Sequence, residues 1–188
     1  MRQAMQGLIY DSGLVEVDPV VAADVVGDRN PDAAVAEYEE GLRMLYVVND
    51  RVAAIASFTR AVLLNPDRIE HYNGLGRALL FKGKMAESLA AFRTALLIDP
   101  DDFDAQLGLA EAMQMGGGEY EDAIVAWQRV LALDPSYDEA HGRLAALLYY
   151  TGDYAESWEH VHQAEAMGYA VPPQFRPLLA AKMAEPTR

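Results

Sequence analysis

Apolar residues along the chain recur every three or four positions in paired runs, with short polar or glycine-containing breaks between them. Between residues 69 and 98 one stripe is Tyr72, Leu75 and Leu79, and a second is Leu89, Phe92 and Leu96. That spacing predicts two amphipathic helices, over Ile69–Phe81 and Met85–Ile98. Lys82-Gly83-Lys84 separates them, and glycine fits the left-handed position that closes a helix. Asn49 and Gly152 stand at the equivalent turn of two other pairs. Each second helix runs into a proline step, Asn65-Pro66, Asp99-Pro100 or Asp134-Pro135. The residue before proline is pushed out of the helical region, so these steps end the pairs.

The pairs repeat. Pro66, Pro100 and Pro135 follow one another at intervals of 34 and 35 residues. A large aromatic precedes each by eight positions (Phe58, Phe92, Trp127), and a small residue by twelve (Ala54, Ser88, Ala123). Gly41-Leu42, Leu75-Gly76 and Leu109-Ala110 lie further upstream in register. Gly116-Gly117-Gly118 takes up the one extra residue, and a fourth unit follows with Leu144, Ala145, Leu148, Ser157, Val161 and Ala164. This pattern resembles the tetratricopeptide repeat family over about residues 35–171, and Tyr72, Leu75, Gly76, Leu79, Ser88, Phe92, Ala95 and Pro100 carry it best. Four units are expected, at about 35–68, 69–102, 103–137 and 138–171, within a repeat domain spanning 32–171. One unit cannot bury its apolar face alone, so units stack and the last needs a cap. A capping helix is expected over Gln174–Met183, covered inward by Phe175, Leu178, Leu179 and Met183, in a terminal segment 172–188. Residues 1–31 read as an extended or linker segment: Val15, Val17, Val20 and Val21 are β-branched, Pro19–Val26 is extended or a short helix, and 28–32 leads into a helix at Ala33.

Composition narrows the function. The 188-residue chain carries 15 Lys and Arg against 29 Asp and Glu, a net charge of −14, and no cysteine. Nucleic-acid binding needs a basic patch to displace counterions, so nucleic acid and anionic membrane surfaces are not expected partners. The absence of cysteine removes thiolate nucleophiles and Cys-based metal sites. No apolar run approaches the roughly 20 residues of a membrane helix, and Leu8-Ile9-Tyr10 is too short for a signal peptide. A cytoplasmic protein is the expectation.

Catalytic patterns do not assemble. His160 and His162 lie two apart on a predicted helix, roughly 200° apart around its axis, and do not share a metal. Glu156 and His160, at i and i+4, are the remaining metal candidate and read more simply as a polar helix face. The glycine triplet lacks the strand before it and the Lys-Ser/Thr after it that a phosphate loop needs. Glu39-Glu40 and Asp101-Asp102 are read as solvated carboxylates complementing helix ends. No enzyme activity, cofactor or metal is expected.

The family resemblance implies an all-α solenoid: antiparallel helix pairs stacked in a right-handed superhelix, with the first helix of each pair lining a concave groove. The groove positions then read Arg43, Tyr46, Asn73, Arg77, Phe81, Glu111, Met115, Arg143, Tyr149 and Tyr150, beside an acidic row of Glu70, Asp104 and Glu139. Aromatic and methionine side chains offer adaptable contact area, and Arg43 and Arg77 could fork onto a carboxylate. The resemblance therefore implies a non-catalytic adaptor, scaffold or assembly factor whose partner is a protein or peptide, basic or apolar in character. Members that clamp a carboxyl terminus use a Lys/Asn/Arg set of which Asn73 and Arg143 are only fragments. Two alternatives stay open: a small acidic chaperone of the type III secretion class, and a homo-oligomeric scaffold assembled through the N-terminal segment.

Overall fold

The computed structural model describes residues 30–186, which are helical throughout their regular structure, with no strand among them. Contacts divide the chain into two compact units, one ending at Ala112 and the other beginning at Met113.

The first unit holds α1 (Pro31–Arg43), α2 (Arg51–Leu64), α3 (Ile69–Lys82), α4 (Met85–Ile98) and most of α5 (Phe103–Met115). Here α1 packs on α2, α2 on α3, and α3 on α4. The starts follow from local chemistry. Asn30 caps α1 by accepting a hydrogen bond from the Ala33 amide at 3.0 Å, and Pro31 takes the first turn, so the helix begins two residues before the expected Ala33. Asp50 caps α2 through the amides of Val52 and Ala53. The ends are equally local. Asn65 and Asp99 are extended ahead of their prolines, with φ −147° and −135°. Gly83 closes α3 at φ 81°, which lets the Lys84 amide reach back to the Leu79 carbonyl at 2.9 Å. Asn49 does the same work after α1 at φ 61°, following a π-helical turn over Met44–Val48.

The aromatic layer positions these helices. Phe58 of α2 is fully buried where a Cβ on Gly41 of α1 or Gly74 of α3 would overlap its ring. Phe92 of α4 fills the same space between Gly76 of α3 and Gly108 of α5. The glycines are what let two backbones close on one ring. Ser88, also buried, donates its hydroxyl to the Gly76 carbonyl at 2.8 Å and locks α4 against α3.

The second unit holds α6 (Tyr120–Leu133), α7 (Asp138–Thr151), α8 (Tyr154–Met167) and α9 (Phe175–Ala180), with α6 on α7 and α7 on α8. The glycine run after α5 makes the turn, with Gly117 at φ 69°. The same devices return. Gly152 closes α7 at φ 94°, and Ser157 donates to the Ala145 carbonyl at 2.7 Å. Trp127 is buried, with its indole N–H donated to Gln114 Oε1. The ring filling the space over Gly142 is Tyr169, from the connection after α8.

The C-terminal closure is shorter than the expected Gln174–Met183 helix. It spans six residues, and Leu179 alone is fully buried, against Ala145, Trp158 and Val161. Phe175 is half-buried, while Leu178 and Met183 remain exposed. Pro177 removes an amide donor from so short a helix, and the chain continues as turns to Pro186. That tail is held by polar contacts: the Trp158 indole N–H donates to the Met183 carbonyl at 3.0 Å, and His162 meets Glu185 at 2.8 Å. Arg176 bridges Glu165 and Glu185 and lies over the Trp158 ring.

Candidate functional site

In the first unit the candidate residues follow from helix register. Asn73, Arg77 and Phe81 are spaced i, i+4, i+8 and form one stripe along α3. Asn73 is half-buried. Its amide N–H donates to Asp102 Oδ1 at 2.8 Å, and the same oxygen accepts from the Ala105 amide as the cap of α5. The Asn73 carbonyl oxygen is buried and meets no donor among the described residues. One turn on, Arg77 reaches Glu111 of α5 at 3.4 Å, both about three-quarters covered. Phe81 ends the stripe 43% exposed.

Arg43 and Tyr46 stand at the end of α1. Arg43 grips Glu40 through two bonds, Nε to Oε2 at 2.7 Å and Nη2 to Oε1 at 2.6 Å. Tyr46 is 58% exposed. Each of the two guanidiniums expected to fork onto a carboxylate thus pairs with a carboxylate of this chain, Arg43 with Glu40 and Arg77 with Glu111. Carboxylates of the acidic row gather nearby. Burial raises the Tyr38 hydroxyl above its ordinary value, and the negative charges of Glu70 and Asp104 add to this. Two features here go beyond the sequence reading. Asp102 is a cap and a partner of Asn73 rather than only a solvated carboxylate, and Tyr38 joins the acidic row. The N-cap position of Asp102, three residues before Ala105, is the signal that could have found it.

In the second unit the expected residues separate into different environments. Arg143 is held by Glu139 at 2.6 Å across one helical turn. Tyr149 is half-buried among Tyr154, Phe175 and Tyr150, and so packs under the closing segment rather than presenting a free ring. Tyr150 is 65% exposed and stacks on Tyr120 at 5.3 Å between centroids. Tyr120 is absent from the sequence-based set, because the glycine triplet obscures where α6 begins. Met115, ending α5, is exposed.

No group of three or more His, Asp or Glu suited to a metal is present among the described residues. The Glu156–His160 pair exists, at 4.0 Å, but it is half-exposed on the Glu156 side. No described helix is long and apolar enough to cross a membrane.

Comparison with known proteins gives a consistent result. Family models described as tetratricopeptide repeat match residues 45–103 and 73–113, and one described as TPR repeat matches 115–152. No curated protein matches the sequence. Among solved structures, MamA superposes with a TM-score of 0.71 at 19% identity, covering 80% of this chain and 82% of MamA. A thermophilic TPR protein of Thermus thermophilus gives 0.60 at 23% identity, covering 80% and 81%. The first TPR of Spaghetti, bound to an HSP90 peptide, gives 0.62 at 19% identity, covering 65% and 95%. At such identities the likeness speaks for the fold. Combined with the repeat matches and the helix pairs, it places this chain in the tetratricopeptide repeat family, whose members are generally non-catalytic protein–protein interaction modules.

Proposed function

We propose that the protein is a non-catalytic binder that holds an extended peptide or partner segment along α1, α3 and the first part of α5. The Asn73 side chain carries this reading. Its carbonyl oxygen is buried without a donor among the described residues, and an unmet acceptor costs free energy that a ligand N–H recovers once a small side-chain shift uncovers it. Beside it the Arg77–Glu111 pair offers a polar step, and the exposed rings of Tyr46 and Phe81 offer apolar area. Glu70 and Asp104 close to Tyr38, within a chain of net charge −14, favour a segment with Lys or Arg among apolar residues. The neighbour captured with an HSP90 peptide shares the fold, which supports peptide capture as the mode. A preformed helical surface lowers the ordering cost of such binding.

The test is a peptide array probed with the wild-type chain, Asn73→Ala and Arg77→Glu, with melting temperatures measured alongside. Enrichment of basic–apolar peptides that both variants lose while remaining folded, with melting temperatures lowered only by the lost Asp102 and Glu111 contacts, is the expected outcome. Equal retention by the variants, or no enriched peptide, overturns the reading. Sedimentation of the wild type alone tests the self-assembly alternative, which requires a mass above the monomer.

A further inference from the structure

Aligning the four units isolates one departure from the template. The fourth residue of each unit is Tyr38, Tyr72, Gln106 and His141, and the facing residue of the second helix is Ser57, Ala91, Ala126 and His160. In the second unit Tyr72 sends its hydroxyl to the Pro66 carbonyl at 3.1 Å, opposite a small residue. In the last unit His141 takes that place, its ring engaging the Pro135 backbone, and the small residue opposite has become a second imidazole.

The rings lie 5.1 Å apart between centroids, and their Nδ1 atoms approach to 2.8 Å. His141 is 7% exposed and the His160 side chain 14%. At that distance one Nδ1 carries a hydrogen and the other presents its lone pair. Two protonated rings would point hydrogens at each other across the same gap, with two positive charges in a covered site. We propose that His141 and His160 form a proton-sensitive latch between α7 and α8, closed when they share one hydrogen and released in mild acid.

The surroundings do little to offset that charge. On α8, Glu156 stands 4.0 Å from His160 Nε2 and is half-exposed. On α7, Glu139 and Arg143 are paired with each other. The connection before α7 contributes the Pro135 backbone, and the Tyr137 hydroxyl reaches Glu139. The buried positions of α6, which packs on α7, are Ala123, Ala126, Trp127 and Val130, none titratable in this range. His162, on α8, is engaged by Glu185 of the tail. Burial accordingly lowers both imidazoles, His160 down to about 4, where the neighbouring His141 adds to the effect. Folded pKa values lie below the unfolded one, so the unfolded chain takes up protons first. Stability is full above about pH 6.5, falls below it, and levels off near the folded value. Because α8 carries Trp158 and His162, which hold the tail, release of the latch loosens the C-terminal closure with it.

The experiment compares melting of the full chain at about pH 7.5 and about pH 5 for the wild type, His160→Ala, and the double variant His141→Tyr with His160→Ala. The last reproduces the Tyr72–Ala91 arrangement of the second unit. The wild type is expected to lose roughly 4–8 °C more than either variant on acidification. Imidazole NMR titration of the wild type serves as a direct readout, with His160 protonating well below the ordinary histidine range. An equal acid-induced drop in all three proteins overturns the latch, as does a wild-type His160 that titrates near 6.5. Should the variants fail to fold at neutral pH, the wild-type titration decides alone.

Discussion

The α3–α4 pair and the α7–α8 pair are built on one template and closed by different chemistry. In α3–α4 the central ring, Phe92, is enclosed by glycine-faced helices on both sides, so the pair is held by apolar packing and one buried serine bond. In α7–α8 the serine bond is retained. The ring over Gly142, however, comes from a connecting segment, a histidine pair spans the helices, and the outer face is covered by a six-residue helix and a tail held through side-chain polar contacts. A repeat followed by another repeat is closed by its neighbour's backbone. The α7–α8 pair is closed by a short helix that buries Leu179 and by a segment held through polar side-chain contacts. The interior pair should thus answer to cavity formation, and the terminal pair to the loss of single hydrogen bonds.

The largest effect is expected from Phe92→Ala. The ring is fully buried between two glycine-faced helices, so its loss leaves a cavity. A destabilisation of about 3–5 kcal/mol is expected by chemical denaturation. A value near 1 kcal/mol would mean that the helices collapse onto the gap and that the glycine cradles are not rigid.

Trp158→Phe probes the other pair and should cost less, about 1 kcal/mol. It keeps most of the buried ring but deletes the N–H that holds the Met183 carbonyl. Protease sensitivity at Lys182 should rise while far-ultraviolet circular dichroism is unchanged. A loss as large as that of Phe92→Ala would erase the contrast between the two pairs.

How much of this is legible in the sequence follows the same division. The helix limits of α3 and α4, the left-handed closures at Asn49, Gly83 and Gly152, and the extended Asn65 and Asp99 are dictated by residues next to one another in the chain. They are readable for that reason. The bonds from Asn73 to Asp102 and from Arg77 to Glu111 link residues 29 and 34 apart. A register assigns such side chains to a face but does not select their partners. Tyr149 illustrates the limit: the equivalent residue is exposed Tyr46 in the first unit and buried Leu80 in the second, and here Phe175 returns to cover the ring. The expectations for residues 1–29 lie outside the described residues.

The smallest effect is expected from Arg43→Ala, and it sharpens the contrast because geometry alone would suggest otherwise. The Arg43–Glu40 fork has the short distances of a strong charge-assisted pair. Both groups are solvent-exposed on the surface of α1, so water and salt compensate each charge when the other is removed. Removing the hydrogen-bonded guanidinium also returns Glu40, now held below its ordinary value by that bond, to a normal titration. The melting temperature should therefore be unchanged within error at moderate salt, and the Glu40 titration should move upward by NMR. A measurable loss of stability would mean that α1 depends on this turn as its second connection to the array. The first pair would then resemble the terminal one in being closed by polar contacts.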